Sequence, residues 1–199
     1  KTAEHSASVM AGDWIKSKDF CYWKHAPVEL DGKTLGIFGY GSIGSRVESI
    51  AKAFGMRTIV CTRTPNPLIE NPVDAEQLFK QSDFLTLHAP LTEATRGIVN
   101  EKNISLMKET AVIINTARGA LVDENAVRKA LDTGRIAGYA ADVVSEEPMK
   151  ADNPLLGAPN CLLTPHIAWA ATETRQRLLD IVIANIRCFI AGCPQNVVS

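Results

Sequence analysis

The chain has 199 residues, of which 46% are hydrophobic and 22% are charged, and its net charge is −1. This length and composition allow one sizeable buried core and exclude a disordered tail. The near-neutral charge and the lack of any apolar run of about 18 residues give no basis for a nucleic-acid partner or a membrane partner.

Residues 1–30 are predicted to form the end of a helix and an aromatic arm. The helix end covers Lys1 to about Met10, and Ala11-Gly12 breaks it. Four aromatic side chains follow within a short segment, at Trp14, Phe20, Tyr22 and Trp23. The arm either packs over the domain or forms an interface with another subunit or domain, since tryptophan and tyrosine favour such places.

Strands and helices are predicted to alternate along residues 31–170. The predicted strands are Thr34–Phe38, Arg57–Cys61, Asp83–Leu87, Ala111–Asn115, Ile136–Ala141 and Cys161–Leu163. The predicted helices are Ser42–Phe54, Ala75–Lys80, Lys102–Met107 and Asn125–Leu131. This alternation predicts the α/β class, with a Rossmann-type, doubly wound parallel sheet and helices on both faces.

A long helix is predicted from Thr172 to Ala191, within a C-terminal segment of residues 171–199. Its apolar residues are spaced as one helical face, which includes Leu178, Val182 and Phe189. Such a face predicts packing against another element.

The first strand leads into Gly39-Tyr40-Gly41-Ser42-Ile43-Gly44, which has the G-x-G-x-x-G spacing. The first glycine allows a tight turn, the second allows backbone to approach a pyrophosphate, and the third allows close packing of helix and strand. The helix N-terminus then offers free N–H groups to the phosphates. We therefore predict a dinucleotide site that includes Ser42 and Ile43. The alternative is a glycine turn with a purely structural role.

The end of the second strand bears on the choice of cofactor. An acidic residue near this point accepts the ribose hydroxyls in NAD-preferring sites. Between Ser49 and Ile69 the sequence has no Asp or Glu, and Thr62, Arg63 and Thr64 occupy the strand end. Arg63 and the threonines could bind a 2′-phosphate, so NADP is predicted to be preferred, with NAD possible. The alternative is that Arg63 is a solvated charge that stacks on adenine.

Three polar stretches follow later strands: Asn115-Thr116-Ala117-Arg118-Gly119, the segment from Asp142 to Glu147-Pro148, and Thr164-Pro165-His166-Ile167-Ala168-Trp169. Ligands of open α/β sheets bind at the carboxyl ends of the strands. Together these stretches supply an acid–base residue, a carboxylate to orient it and a cation for an anionic substrate. That combination suits a 2-oxo or 2-hydroxy acid beside a nicotinamide.

The five cysteines are scattered and odd in number, without a C-x-x-C pair. They favour neither a disulfide framework nor a zinc site, so no metal is predicted and a cytoplasmic location fits best. Cys61 and Cys161 lie in apolar, strand-like runs and are expected to be small core residues.

With these motifs and His88-Ala89-Pro90-Leu91-Thr92, the chain resembles the D-2-hydroxyacid dehydrogenase family from about Asp13 onward. The resemblance implies that Arg118 binds the substrate carboxylate and carbonyl oxygen. It implies that His166 exchanges a proton with that oxygen, and that Glu147 holds His166 by a charge-assisted hydrogen bond. It also implies a homodimer.

The same resemblance implies cofactor contacts. Asp142 would bind the nicotinamide carboxamide, Thr116 and Ala117 would line the ring, and Pro90 would lie near the cofactor. The remaining predicted contacts are His88, Thr95 and Trp169. Glu147 stands where related formate dehydrogenases have Gln, which argues for keto-acid reduction. Trp169 and Phe20-Cys21-Tyr22-Trp23 are similar to the glycerate dehydrogenase (hydroxypyruvate reductase) branch.

Family members also carry an N-terminal segment that builds most of a substrate domain, and that segment is not seen here. The helix Thr172–Ala191 and the tail after it resemble the piece of the family fold that returns toward that substrate domain. The chain is therefore expected to bind cofactor and to turn over poorly alone. The first residue is Lys1, so the natural N-terminus is expected elsewhere. Two hypotheses of other classes stay open, which are a nucleotide-sensing, corepressor-like protein on the same fold and an oligomerisation module.

Overall fold

The computed structural model describes residues 1–198. Its strands are β1 (Thr34–Phe38), β2 (Arg57–Cys61), β3 (Phe84–Leu87), β4 (Val112–Asn115), β5 (Gly138–Ala141) and β6 (Cys161–Leu163). Its α-helices are α1 (Thr2–Met10), α2 (Ser42–Ala53), α3 (Ala75–Gln81), α4 (Glu101–Ile104), α5 (Glu124–Asp132) and α6 (Thr172–Ile190). Short 3₁₀ turns cover Trp14–Lys16 and Gly119–Leu121.

The strands form one parallel sheet in the order β2-β1-β3-β4-β5-β6. The strand β2 lies on one side of β1, and the strands from β3 onward lie on the other side. The order of the strands therefore switches between β1 and β3, at the point where such folds bind ligands. The predicted Rossmann-type parallel sheet is confirmed.

Helices cover both faces of the sheet. Leu35 and Ile37 of β1 share one buried cluster with Ala51 of α2. Between them, a Cβ on Gly36 would lie 3.1 Å from Leu78 Cδ1 of α3. Because neighbouring strand residues point to opposite faces, α2 and α3 lie on opposite sides of β1. Both faces of β1 are therefore buried, as parallel sheets require.

Most predicted boundaries lie within one residue of the observed ones, and two need correction. The predicted helix Lys102–Met107 is α4, Glu101–Ile104, which begins at Glu101 because the Asn100 side chain caps it by accepting the Asn103 N–H at 3.0 Å. It continues as a tight turn, in which the Met107 N–H donates to the Ile104 carbonyl at 3.0 Å. The strand predicted from Ile136 begins at Gly138.

The predicted core cysteines lie at the margin of the core. Cys61 and Cys161 are half-buried and pack against the larger buried cluster. Burial raises the pKa of both thiols, because it disfavours the thiolate.

The aromatic arm leaves its large side chains at the surface. Trp14, Phe20 and Trp23 are between 52% and 89% exposed. The arm instead folds on itself, with the Ser8 and Tyr22 hydroxyls 2.9 Å apart and Lys24 Nζ 2.8 Å from Asp13 Oδ2. This exposure argues against the packed-arm interpretation, while the interface interpretation stays a prediction.

The C-terminal helix α6 has no buried residue among those described. Its predicted apolar face, which includes Leu178, Val182 and Phe189, is 43% to 75% exposed. Across residues 1–198, no helix combines the length and apolar character needed to cross a membrane.

Candidate functional site: a nucleotide cleft beside an Arg–Glu–His cluster

An open cavity of about 780 Å³ lies at the carboxyl ends of β1, β2 and β3. It follows the switch point of the sheet, where a dinucleotide is expected. Predicted cofactor residues that line it are Gly39, Gly41, Thr62, Arg63, Thr64, His88, Pro90 and Thr95. Burial lowers the pKa of His88, and its Nε2 lies 3.0 Å from the Thr86 hydroxyl. Burial therefore favours the neutral form of His88, which lines this cleft.

The three glycines of the fingerprint differ in what surrounds them. Gly39 has φ +93°, and a Cβ there would lie 2.7 Å from the Ala89 backbone nitrogen. A Cβ on Gly44 would lie 2.4 Å from the Gly39 carbonyl oxygen. A Cβ on Gly41 would meet no protein atom within 4 Å.

The protein's own packing therefore requires glycine at the first and third positions of the fingerprint. At the second position, Gly41, the space is open and adjoins the start of α2 at Ser42. The first backbone N–H groups of a helix have no partner within the helix, so they face such a space as donors. We call the open space beside Gly41 and the first N–H groups of α2 the cradle. Such an arrangement suits a pyrophosphate.

The edge of the cleft after β2 carries positive charge. Among the described residues that line the cavity, none is an aspartate or a glutamate. Arg63 is exposed at this edge and forms no salt bridge within residues 1–198. The guanidinium of Arg63 is therefore free to pair with an anionic group of a ligand.

A second cavity, of about 200 Å³, brings the three predicted catalytic residues together. Arg118, Glu147 and His166 all line it, although they follow three different strands, β4, β5 and β6. Because the strands are parallel and adjacent, their carboxyl ends meet at one edge. The sheet thus assembles residues that are far apart in the chain.

His166 and Glu147 form a hydrogen-bonded pair, with His166 Nδ1 2.7 Å from Glu147 Oε2. The bond from His166 holds the pKa of Glu147 below its usual value. Partial burial opposes that shift, and the Val144 N–H, which donates to Oε1 at 3.1 Å, supports it. An ionised carboxylate only accepts, so Nδ1 is the donor and Nε2 is left for proton exchange with a ligand.

The backbone at His166 is held in an uncommon conformation, with φ +53°. Its N–H donates to the Asp142 carbonyl at 2.8 Å. The Asp142 carboxylate accepts the Thr164 hydroxyl at 2.5 Å, the Ile167 N–H at 2.9 Å and the Ala168 N–H at 2.8 Å. Asp142 therefore fixes the loop on both sides of His166, which stabilises the strained φ.

Asp142 is 5% exposed. Burial raises the pKa of its carboxyl, but the three hydrogen bonds outweigh that effect and the pKa lies below its usual value. Its Oδ2 accepts one of these bonds, so that oxygen keeps capacity for a second donor.

The other predicted contacts lie outside the two cavities. Ser42, Ile43 and Gly44 form the first turn of α2 beside the cleft. Thr116 and Ala117 form the loop between β4 and Arg118. Trp169 is exposed, and among the described residues it lines neither cavity.

The sequence interpretation did not single out Asn115, which is fully buried at the end of β4. Its amide donates to the Arg118 carbonyl at 2.9 Å and accepts the Ala117 N–H at 3.0 Å. The loop that presents Arg118 is therefore pinned to the sheet. A polar residue ending an apolar strand, three positions before an arginine, was the available signal.

Comparison with known proteins settles the family. Residues 1–168 match the family described as D-isomer specific 2-hydroxyacid dehydrogenase, NAD binding domain. The chain belongs to this family. It is the family's NAD-binding domain, and the family predicted from its motifs is confirmed.

Two relatives of this NAD-binding domain agree with the predicted branch. The chain is 46% identical to a hydroxypyruvate reductase of Blautia hydrogenotrophica and 44% identical to a glycerate dehydrogenase of Methylorubrum extorquens. In both cases the match covers 98% of this chain and 62% of the relative. The chain thus spans less than two thirds of the length of these relatives.

A solved structure of an acyclic imino acid reductase, in complex with NADPH and D-Arg, has the same fold with a TM-score of 0.81. Its sequence is 36% identical, and the match covers 96% of this chain and 62% of that structure.

Proposed function

We propose that the protein carrying this chain is an oxidoreductase that interconverts a small 2-oxo acid and its D-2-hydroxy acid, using NADPH in preference to NADH. We propose hydroxypyruvate (with glycerate) or glyoxylate as its substrates, because relatives that match 98% of the chain are a hydroxypyruvate reductase and a glycerate dehydrogenase. The supporting observation is the 2.7 Å bond between His166 and Glu147 on the cavity that Arg118 also lines.

Each of the three residues has a distinct task in this proposal. The guanidinium of Arg118 would bind the carboxylate of the substrate through two parallel hydrogen bonds. The Nε2–H of His166 would protonate the carbonyl oxygen during reduction and accept the proton back during oxidation. Glu147 would stabilise the charged imidazole and fix its orientation. A nicotinamide bound in the adjoining cleft would supply the hydride.

The preference for NADPH rests on charge at the end of β2. Arg63 would pair with the 2′-phosphate, and Thr62 and Thr64 would donate hydroxyl hydrogen bonds to it. The described lining of the cleft has no carboxylate to repel that phosphate or to bind a free 2′-hydroxyl. Both features favour NADPH.

We further propose that the protein is a cytoplasmic homodimer. The five cysteines of the chain are all unpaired, which suits a reducing compartment. The exposed tryptophans of the arm and the exposed apolar face of α6 give apolar surface for contacts with other protein segments.

A steady-state assay tests the proposed activity. The full-length protein would be given hydroxypyruvate, glyoxylate or pyruvate with NADPH or NADH, and cofactor oxidation would be followed. We expect turnover on the order of 1 per second or faster, as is ordinary for enzymes, and a higher kcat/KM with NADPH. Tight cofactor binding with negligible turnover on every acid would instead favour the nucleotide-sensing, corepressor-like hypothesis.

A further inference from the structure

The carboxylate of Glu124 is buried next to the catalytic loop, although nothing in the proposed chemistry uses it. Glu124 is the first residue of α5 and is 7% exposed. One oxygen accepts the Ser145 N–H at 2.6 Å. The other accepts the Ser145 hydroxyl at 2.7 Å and the Asn153 amide at 2.9 Å. Burying a carboxylate is costly unless such partners compensate, so these bonds are structurally significant.

These bonds are not needed to cap the helix. The Asp123 side chain already accepts the Asn125 N–H at 3.0 Å and the Ala126 N–H at 3.1 Å. Every hydrogen bond accepted by the Glu124 side chain comes instead from the loop after β5. Glu124 therefore ties that loop to α5.

The loop segment that Glu124 holds is the one that sets the position of Glu147. The Val144 N–H, adjacent to Ser145 in the chain, donates to Glu147 Oε1 at 3.1 Å. A Cβ on Gly119 would lie 1.9 Å from the Val144 carbonyl carbon. The Val144–Ser145 peptide, whose N–H donates to Glu124, therefore lies directly against the residue that follows Arg118, and the preceding peptide supplies the Val144 N–H that donates to Glu147.

We propose that Glu124 is a positioning residue for the reduction. By anchoring the Val144–Ser145 peptide, it fixes Glu147 in hydrogen-bonding reach of His166 and keeps the Arg118 loop in register with that pair. This inference rests on the proposed function for its kinetic consequence, while the anchoring itself can be measured without activity.

Glu124→Gln in the full-length protein tests the proposal. Glutamine keeps the shape but turns one acceptor into a donor that faces the N–H groups of Ser145 or Asn153. We expect kcat to fall about tenfold to a hundredfold, as small misplacements of catalytic groups do, with the cofactor Kd unchanged.

Glu146→Gln is the matched control. It makes the same chemical change in the same loop, where the carboxylate is exposed and lies 2.7 Å from Lys150 Nζ. We expect its kcat to stay at the wild-type value. If Glu124→Gln lowers the melting temperature but keeps the kcat of the control, the positioning proposal is wrong.

A double variant separates positioning from general destabilisation. Because Glu124 acts in part through Glu147, adding Glu124→Gln to Glu147→Gln should lower kcat by less than the product of the two single losses. Multiplicative losses would overturn the proposal. Should Glu124→Gln fail to fold, Ser145→Ala removes one of the three bonds and should give a smaller loss of kcat in the same direction. Wild-type kcat in Ser145→Ala would then count against it.

Amide hydrogen exchange distinguishes a failure of this inference from a failure of the proposed function. Exchange at Val144 and Ser145 should be faster in Glu124→Gln than in Glu146→Gln, whether or not the protein reduces any acid. Equal exchange in the two variants would overturn the anchoring. An inactive wild-type protein with faster exchange in Glu124→Gln would contradict only the proposed function.

Discussion

The substitution Gly41→Ala is expected to separate cofactor binding from folding. A Cβ at this position meets no protein atom within 4 Å, and φ there is −99°, which alanine adopts without strain. The free energy of unfolding should therefore stay within about 0.5 kcal/mol of wild type, or rise slightly through the unfolded state.

The same methyl group would occupy the space into which the pyrophosphate approaches the start of α2. A hydrogen bond to a charged group contributes about 1.5–3 kcal/mol. Losing one such bond should raise the NADPH dissociation constant by about tenfold or more. Fluorescence titration with NADPH, alongside a thermal melt, measures both quantities on the same protein.

Three other glycines provide controls, because their substitution is expected to lower the stability of the fold. Gly39→Ala and Gly44→Ala would place a Cβ 2.7 Å and 2.4 Å from backbone atoms, so both should destabilise the fold itself. Gly157 has φ +69° and open space, so Gly157→Ala should cost about 1 kcal/mol of stability and leave NADPH affinity unchanged. An unchanged NADPH affinity in Gly41→Ala would refute the assignment of the cradle.

Arg63→Ala should weaken NADPH binding far more than NADH binding, and an equal effect on both cofactors in titrations would contradict the 2′-phosphate argument. Arg118→Lys keeps the charge but loses the two-pronged geometry, so KM for the 2-oxo acid should rise about tenfold with the cofactor Kd unchanged. The pKa of Asp142 is lowered in the fold, so its contribution to stability is present above about pH 4 and is lost as the pH falls through its folded pKa. In Asp142→Asn, the free energy of unfolding should fall less between about pH 5 and pH 3 than it does in the wild type, as measured by urea unfolding. An equal fall in the two proteins would refute this.

The sequence predicted the sheet well because burial leaves few alternatives there. The strand β1 is apolar and buried on both faces, and a glycine turn follows it. An apolar run that contains Leu35 and Ile37 and leads into such a turn indicates a buried strand. The boundaries that differ depend on local contacts, such as the Asn100 cap that begins α4 and the pairing of β5 with β4, which begins at Gly138. Local capping of this kind competes with propensity and is hard to rank from sequence.

The candidate site was predictable as a set of residues but not as a network. Arg118, Glu147 and His166 follow strand ends, which the parallel topology brings together. The contacts of Asn115 are local, within three residues, but those of Glu124 depend on a loop that folds back over 21 residues at Ser145 and 29 residues at Asn153. Nothing in local spacing reveals such partners. The exposure of Trp14 and of α6 was equally beyond prediction, because the sequence pattern gives an apolar face without saying what covers it.

The most direct test of the proposed oxidoreductase compares the wild-type full-length protein with His166→Ala, using hydroxypyruvate and NADPH. The wild type should reduce the acid at an ordinary enzymatic rate, and the variant should lose turnover by at least about a hundredfold while binding NADPH as tightly as before. A variant that keeps its turnover, or that loses turnover and NADPH affinity to the same degree, would contradict the role of His166 as the acid–base residue of this site.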